Sequence, residues 1–344
     1  MKAAVVREPG RIEIVDLDRP VPGPYECLVR ILNCSICSGT DRHIVDHEFP
    51  IKQYPCVLGH ESIGRVIACG EKVRYFKPGD LVLRPAAVRP GETLDGYASL
   101  FGGFAEYGLI ADARALEEDT PRGAPVKLPP FASAQQRVPD DFPVHLAGAL
   151  ITFKETLSFA DQLGVSTGAS VAVLGSGTVA LAFVRALKLL GAAKVIVVGR
   201  RDEPLGRALK AGADAVVNTS RETARERIRD LTGGKGVDYV IEAVGDWSLL
   251  DEGRLFLANN GKIGVYGVPE APSGVLSRWG GPGTWSIHFI APREERVHQR
   301  ALDAVRLGYV DLEWFVSHRL SLEEIEKGME LVRKKEAVKV AIDI

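Results

Sequence analysis

Two short segments near the start of the chain hold the cysteine, histidine and acidic residues that could bind a metal ion. Residues 33–43 contain Cys34 and Cys37 together with an aspartate and a histidine, and a later segment contains His60 followed directly by Glu61. Thiolate, imidazole and carboxylate are ligands that zinc accepts, and a catalytic zinc needs only three protein ligands and one open position. Cys34 and Cys37 could instead form half of a structural zinc knuckle, although no second such pair exists to complete it.

A glycine-rich turn is the second feature that could do chemistry. The apolar run 171–174 is followed by Gly175, Ser176, Gly177, Thr178, Val179 and Ala180. In this Gly-x-Gly-x-x-Ala pattern the first glycine permits a tight turn, the second lets a pyrophosphate approach the backbone, and a helix N-terminus faces the phosphates. Because a second strand follows about 20 residues further on, the pattern favours a dinucleotide site over an ordinary strand-to-helix turn.

The end of that second strand bears on the choice of cofactor. NAD sites usually have an acidic residue there, which accepts hydrogen bonds from the ribose, whereas this chain has Gly199, Arg200 and Arg201. The glycine leaves room for a bulkier ribose substituent, and either arginine can pair with a 2′-phosphate. The sequence therefore predicts NADP. The alternative is a solvated loop with NAD bound, partly because Asp202 lies close by.

The elements that must position these residues differ between the two halves of the chain. From about residue 163 onward, short β-branched runs alternate with amphipathic stretches, and Gly191 and Gly212 stand where helices are expected to end. This alternation predicts a doubly wound parallel sheet. The earlier residues form strand-like runs separated by turns such as 22–24 and 78–80, which predicts a compact β-rich domain.

Composition narrows the class of protein further. The chain has 344 residues, 46% of them apolar, and a net charge of −2 from 43 basic and 45 acidic side chains. That length suits two domains, and the balanced charge argues against a nucleic-acid partner. No apolar stretch of about 18 residues offers a membrane span. Five cysteines, all within the first 69 residues, are too few for a disulfide framework. We therefore expect a cytoplasmic protein with a small-molecule partner.

The sequence resembles the zinc-dependent medium-chain dehydrogenases, specifically the alcohol and polyol dehydrogenases, over essentially its whole length. The residues that carry the resemblance are Cys37 with Thr40-Asp41-Arg42-His43, Gly59-His60-Glu61-x-x-Gly64, Val73 with Lys77-Pro78-Gly79-Asp80, Gly102-Gly103-Phe104-Ala105-Glu106-Tyr107, the Gly175 turn, Asp238-Tyr239-Val240-Ile241-Glu242 and Val338-Lys339-Val340. The resemblance implies an α/β protein with a GroES-like catalytic domain of residues 1–151, to which 292–344 return, and a Rossmann dinucleotide-binding domain of residues 152–291.

The resemblance also implies roles for individual residues. Cys37 and His60 match zinc ligands, and Glu61 matches either a third ligand or a carboxylate just behind the metal. The remaining matches are Thr40 and His43 with a proton relay, Thr156 with a threonine beside the nicotinamide, Lys339 with a basic residue that reaches the cofactor phosphates, and residues 175–179 with the dinucleotide turn.

Three departures from the family pattern stand out. Ser38 and Gly39 both intervene between Cys37 and Thr40, where the family usually has one residue, and a bulge at Gly39 is expected to absorb the difference. Thr152 stands where the family commonly supplies a further metal ligand, which leaves Glu155 as the nearest alternative third ligand to Glu61. The four-cysteine structural zinc lobe of many alcohol dehydrogenases is missing, since no cysteine follows Cys69.

These features predict a zinc-dependent oxidoreductase that transfers a hydride between a nicotinamide dinucleotide and an alcohol, polyol or sugar, or the corresponding carbonyl compound. Two alternatives are a zinc-independent quinone or enoyl-type reductase of the same superfamily and a dinucleotide-binding protein without turnover. The apolar run 286–290 is expected to join copies of the chain as a homo-dimer or homo-tetramer.

Overall fold

A computed structural model describes residues 1–46, 53–99, 101–268, 273–277 and 279–344. The chain divides into two compact units, one formed by Met1–Ile151 with Asp311–Ile344 and the other by Thr152–Val310. The sequence predicted that the chain returns from the second unit to the first between residues 291 and 292, whereas this boundary lies between residues 310 and 311. Residues 292–310 belong to the second unit because they pack there: Ser158 Oγ donates to the Arg293 carbonyl at 2.8 Å, and Arg300 pairs with Asp161 at 3.2 Å.

The described chain begins with a region rich in strands, and strands alternate with helices after Leu163. In chain order they are β1 (Lys2–Val6), β2 (Glu13–Asp16), β3 (Glu26–Ile36), α1 (Asp41–Val45), β4 (Cys56–Val57), β5 (Glu61–Cys69), β6 (Leu81–Leu83), β7 (Thr93–Leu94), β8 (Tyr97–Ser99), β9 (Tyr107–Ala111), α2 (Ala113–Asp119), β10 (Arg137–Val138), α3 (Ala147–Leu163), β11 (Ser170–Leu174), α4 (Thr178–Leu189), β12 (Lys194–Gly199), α5 (Asp202–Lys210), β13 (Ala215–Asn218), α6 (Ala224–Leu231), β14 (Val237–Glu242), α7 (Trp247–Gly253), β15 (Leu257–Val265), β16 (Trp285–Phe289), α8 (His298–Arg306), β17 (His318–Ser321), α9 (Ile325–Arg333) and β18 (Val340–Asp343). Among the described residues, none of the helices combines the length and the apolar character that a membrane span requires.

The first unit is the predicted β-rich domain. Among its described residues, one sheet has the strand order β2-β1-β4-β8-β7, and a second has the order β10-β6-β5-β3-β18-β17 with β9 also paired to β3. The C-terminal strand β18 lies antiparallel to β3, with Val340 opposite Ile36. The last strand of the chain therefore completes the sheet that carries the Cys37 and Gly-His-Glu segments.

The second unit is the predicted doubly wound domain. Its described strands form one parallel sheet in the order β13-β12-β11-β14-β15-β16. Val171, Ala172 and Val173 in β11 are fully buried, as expected for a strand covered by helices on both faces. The strand order reverses between β11 and β14. Sheets of this kind bind their ligands at this reversal point, just outside the carboxyl ends of the strands.

Candidate functional site

The register of three strands brings the predicted zinc ligands together. Strand β3 lies between β5 and β18, and its Ser35 pairs with Glu61 on one side and with Ala341 on the other. Cys37 follows the end of β3, and His60 immediately precedes β5. Because neighbouring antiparallel strands run in opposite directions, the end of β3 and the start of β5 meet at one edge of the sheet.

Cys37, His60 and Glu61 form a compact set of metal-ligating groups. One ligand atom from each side chain lies within 4.8 Å of the others. Glu61 is buried, while Cys37 and His60 are partly exposed. The ligands of a tetrahedral zinc ion lie roughly 3.3–3.8 Å apart. A small contraction of these three side chains would therefore reach zinc geometry.

Asp41 places a buried negative charge beside this set. Its Oδ2 accepts a hydrogen bond from the Cys37 amide at 2.9 Å, and its Oδ1 lies 3.6 Å from His60 Nδ1. Neither Asp41 Oδ1 nor His60 Nδ1 has a hydrogen-bond partner among the described residues. Burial by itself lowers the pKa of His60, but Asp41 and Cys37 outweigh it and raise that pKa well above its ordinary value. The site therefore favours a cation, and its donor set fits zinc.

Lys339 lies against Glu61. Its Nζ is 2.5 Å from Glu61 Oε2, and both side chains are almost completely buried. The resemblance implied that Lys339 reaches the cofactor phosphates, whereas the structure places its ammonium group on this carboxylate. The cause is strand pairing, since Val340 opposite Ile36 brings the preceding residue beside Cys37. The ion pair fixes one oxygen of Glu61 and so limits the positions that the carboxylate can adopt.

The glycine of the Gly-His-Glu segment is required by close packing. Gly59 has a φ of +92°, and a Cβ atom there would lie 2.9 Å from both the Cys34 Sγ and the Phe104 ring. Cys34 is completely buried under this turn, and burial raises the pKa of its thiol well above the ordinary value. A buried neutral thiol is a poor metal ligand, so Cys34 acts as a packing residue rather than as part of a zinc knuckle.

The extra residue after Cys37 is absorbed in a turn rather than in the expected bulge. The Cys37 carbonyl accepts hydrogen bonds from Thr40 N at 3.4 Å and from Asp41 N at 3.0 Å. Ser38 and Gly39 are exposed at the tip of this turn, and a Cβ atom on Gly39 would meet nothing within 4 Å. The added residue therefore lengthens the surface turn and leaves the thiolate at the end of β3.

Thr40 and His43, the predicted relay residues, lie one helical turn apart at the start of α1. Both are half-buried. The Arg42 Nη2 atom lies 3.1 Å from His43 Nδ1 and 2.7 Å from Nε2. The imidazole of the second predicted relay residue therefore lies in contact with a cationic side chain.

Glu155 and Thr156 lie in α3, in the part that belongs to the second unit, whereas Cys37, His60 and Glu61 belong to the first. Tyr266 donates a hydrogen bond to Glu155 Oε2 at 3.0 Å. The hydroxyl of Thr156 is fully buried and donates to the carbonyls of Thr152 and Phe153 at 3.0 and 3.1 Å. Of the two carboxylates considered as a third ligand, Glu61 lies in the same unit as Cys37 and His60 and close to both.

The glycine-rich turn packs closely at its first glycine and is open at its second. Gly175 has a φ of +114° and packs so closely on the next loop that a Cβ atom would lie 2.8 Å from Val244 Cγ2. Gly177 is the N-cap residue of α4. It has no side chain, and the space that a Cβ atom would occupy there is open. Ser176 lies between these glycines, and Thr178 and Val179 form the first turn of α4. The open helix N-terminus is suited to a phosphate group.

Gly199 is required by its neighbour across the sheet. A Cβ atom at this position would lie 2.7 Å from Ser176 Oγ and 2.9 Å from Ser176 Cβ. From the sequence alone, Gly199 is interpreted only as a residue that leaves room for a bulkier ribose substituent. In the structure, the side chain of Ser176 occupies the space that an acidic residue at 199 would need.

Arg200 and Arg201 are exposed at the end of β12, and neither guanidinium makes an ion pair or hydrogen bond within the described residues. Asp202, in contrast, is engaged: Asn218 Nδ2 donates to its Oδ1 at 2.7 Å, and Arg221 pairs with its other oxygen. The two arginines are thus available to an anion, while the nearby carboxylate is already paired.

Sequence reasoning missed two residues that shape the site. Asp41 was visible in the Thr-Asp-Arg-His motif but received no role, although it bonds to the Cys37 amide. Arg84 gave no sequence signal. In the structure it is buried, has a φ of +59°, and donates from Nη1 to the His60 carbonyl at 2.7 Å. Arg84 therefore fixes the backbone of a candidate ligand.

Known proteins share both the fold and the sequence pattern. Residues 23–119 match the alcohol dehydrogenase GroES-like domain, and residues 178–278 match the zinc-binding dehydrogenase family. The NADP-dependent isopropanol dehydrogenase of Thermoanaerobacter brockii is 30% identical over 349 residues, which cover 97% of each chain. The sorbitol dehydrogenase of Bacillus subtilis is 28% identical over 361 residues, 99% of this chain and 97% of that protein. The alcohol dehydrogenase structure from a Thermus species aligns with a TM-score of 0.83 at 27% identity, covering 100% of this chain and 99% of that one.

The fold and the site together define a zinc-dependent oxidoreductase that uses a nicotinamide cofactor. The chain belongs to the zinc-dependent medium-chain dehydrogenase family, as its residues had indicated. It is an alcohol or polyol dehydrogenase, transferring a hydride between the nicotinamide dinucleotide and a small alcohol or its carbonyl counterpart.

Proposed function

We propose that Cys37, His60 and Glu61 hold the catalytic zinc of this dehydrogenase and that NADP is its preferred cofactor. The observation that carries the zinc assignment is the approach of the three ligand atoms to within 4.8 Å of one another. A zinc-independent reductase has no use for such a set, and a dinucleotide-binding protein without turnover would not need it either. The cluster therefore favours the dehydrogenase over both alternatives.

The residues around the cluster have distinct tasks in alcohol oxidation. Zinc bound there supplies Lewis-acid polarisation of the alcohol oxygen, and the dinucleotide accepts the hydride. Asp41 holds the Cys37 amide and faces His60, which orients two ligands at once. The Thr40 hydroxyl receives the alcohol proton, and the His43 imidazole passes it to solvent. Their partial exposure suits a relay between a shielded site and water.

The proposal of NADP rests on Arg200 and Arg201. Both guanidinium groups lie at the carboxyl end of β12 and are unpaired in the described structure. That edge of a doubly wound sheet is where the ribose of a dinucleotide binds. The similar isopropanol dehydrogenase of Thermoanaerobacter brockii is NADP-dependent by name.

The third ligand can be tested with a matched pair of substitutions. We expect Glu61→Gln to weaken zinc binding about 10- to 100-fold, since it removes a charged oxygen from the ligand set. Glu155→Gln should leave zinc binding unchanged, because Tyr266 can still donate to the amide oxygen. Zinc content is measured by elemental analysis after dialysis against a graded chelator.

Glu61→Gln also removes the negative charge that faces the buried ammonium group of Lys339, and this loss destabilises the fold. The double variant with Glu61→Gln and Lys339→Met separates these effects: it should regain thermal stability without regaining zinc. A larger loss of zinc in the Glu155 variant would show that Glu155 is the third ligand instead.

We also propose that the enzyme works as a homo-oligomer in the cytoplasm. Its five cysteines are free thiols, as suits a reducing compartment. Strand β16 is at the edge of the six-stranded sheet, with Phe289 65% exposed at its end. An edge strand with an exposed aromatic side chain is suited to pairing with another copy.

Substitution at this edge should therefore change the assembly. We expect the native protein to sediment as a dimer or tetramer at low micromolar concentration, and Ile287→Lys with Phe289→Lys to sediment near the 37.2 kDa of one chain. Leu307→Lys, at an exposed apolar position away from the strand, serves as the control. A native protein that sediments only as single chains would refute this assembly.

A further inference from the structure

A cavity of about 500 Å³ opens within the first unit, and His60 forms part of its wall. This volume is typical of a small-molecule site. Twelve of the 21 residues that line it are apolar. Of the three proposed zinc ligands, His60 lines this cavity, while Cys37 and Glu61 are not among its lining residues. The cavity therefore borders the proposed metal site on the His60 side, and its chemistry bears on which alcohol can bind there.

Two phenylalanine rings line the cavity next to the proposed metal site. The Phe101 ring lies 4.8 Å from the His60 ring, and the Phe131 ring lies 5.2 Å from Phe101 in an edge-on arrangement. Phe131 is 49% exposed, so its ring is not held by the protein core. An exposed aromatic ring on a cavity wall can bind a further apolar or aromatic group.

Backbone strain is concentrated around the same cavity. Six non-glycine residues in the described chain have a positive φ, and three of them line the cavity: Arg84 at +59°, Phe101 at +79° and Phe131 at +65°. Such conformations are costly and persist where the surrounding structure enforces them, often at ligand-binding sites. The strained backbone presents both rings to the cavity.

Most of the polar groups on the wall bond to other protein groups in the described structure. The exceptions besides His60 are Ser99 Oγ, which is buried without a hydrogen-bond partner, and Lys127, which makes no ion pair or hydrogen bond there. Arg89 Nε donates to Glu26 Oε1 at 2.9 Å, and Ser62 Oγ donates to the Pro85 carbonyl at 2.9 Å. The amide of Gln135 is also bonded on both sides, because it accepts from Ala111 N at 2.8 Å and donates to the Arg84 carbonyl at 3.1 Å. A polyol or sugar needs several uncommitted partners for its hydroxyl groups, since hydroxyls buried without partners lose binding energy.

We propose that this cavity binds the substrate and selects an alcohol whose carbinol carbon carries an aromatic ring or a similarly bulky apolar group, in preference to a polyol or sugar. The inference rests on the proposed function, because it takes His60 to mark the reacting end of the cavity. Phe101 and Phe131 contact the apolar group, and the hydroxyl lies toward His60.

The test compares benzyl alcohol, cinnamyl alcohol, isopropanol and sorbitol as substrates of the zinc-loaded protein, with NADP and with NAD. We expect the two aromatic alcohols to give the highest kcat/KM and sorbitol the lowest. Phe131→Ala should lower kcat/KM for the aromatic alcohols about tenfold, mainly through KM, because an aromatic contact is lost. The same substitution should lower kcat/KM for isopropanol much less, because this small alcohol has no aromatic group to contact the ring.

Tyr309→Ala removes a 66% exposed aromatic ring that lies outside the cavity and is the matched control. A preference for sorbitol, or equal effects of Phe131→Ala on aromatic alcohols and isopropanol, would overturn the assignment of this cavity while leaving the dehydrogenase function intact. Failure to oxidise any of the four alcohols with either cofactor would instead overturn the proposed function, and this inference with it.

Discussion

His60→Ala should remove both the zinc and the alcohol dehydrogenase activity. The imidazole is one of three proposed ligands, and the remaining pair, Cys37 and Glu61, cannot hold the ion with comparable affinity. We expect kcat/KM to fall by at least about a thousandfold, because the polarisation of the substrate oxygen, worth several kcal/mol, is lost. Zinc per chain, measured by elemental analysis of the dialysed protein, should fall in parallel.

His318→Ala is the matched control for this substitution. His318 is half-buried in the same unit and bonds to Ser317 Oγ at 2.9 Å, with no place in the ligand cluster. The control should keep its zinc and most of its activity. If His60→Ala retains stoichiometric zinc, the metal site has been assigned to the wrong residues.

Replacement of Arg200 and Arg201 should have a large effect on the preference for NADP over NAD. The native protein should give a higher kcat/KM with NADP than with NAD, and Arg200→Ile with Arg201→Ile should lower the NADP value about 10- to 100-fold. A charged hydrogen bond contributes about 1.5–3 kcal/mol, and the exposure of this loop places the effect toward the lower end. The NAD value should change little, because NAD has no 2′-phosphate.

Reversal of the preference requires a change at Ser176 as well as at Gly199. Gly199→Asp alone should impair both cofactors, because its Cβ would lie 2.9 Å from Ser176 Cβ. Adding Ser176→Gly and Arg200→Ile should restore activity with NAD, since the new carboxylate can then accept bonds from the ribose. Ser176→Gly alone is the control and should keep the NADP preference. Equal or better specificity constants with NAD in the native protein would show that the arginines do not select the cofactor.

Several features were predictable from local sequence because they depend on residues close together in the chain. The run 171–180 encodes its own strand, turn and helix, and the alternation after residue 163 encodes the parallel sheet that the structure contains. Strand periodicity and turn chemistry act over a few residues, so a single sequence carries them. The Gly-His-Glu segment likewise predicts candidate metal ligands from residues adjacent in the chain.

Contacts between distant residues could only be settled by the tertiary structure. Lys339 and Glu61 are 278 positions apart, and the register of β18 on β3 brings them together. Tertiary structure also decided that Ser176 packs on Gly199, that Glu155 bonds to Tyr266, and that 292–310 belong to the second unit. Each of these contacts depends on which strands and helices become neighbours in the fold. A local sequence pattern does not specify those neighbours.

The sequence by itself therefore determined the class of fold, and it predicted the dinucleotide turn and the candidate metal ligands, because each depends on short-range spacing. Only the tertiary structure decided that Glu61 lies close to Cys37 and His60, and that Phe101 and Phe131 line a cavity with His60. The physical reason is that ligand geometry and cavity shape arise from side chains supplied by separate strands and loops. Their relative positions are fixed only when the core packs and the strand register is set.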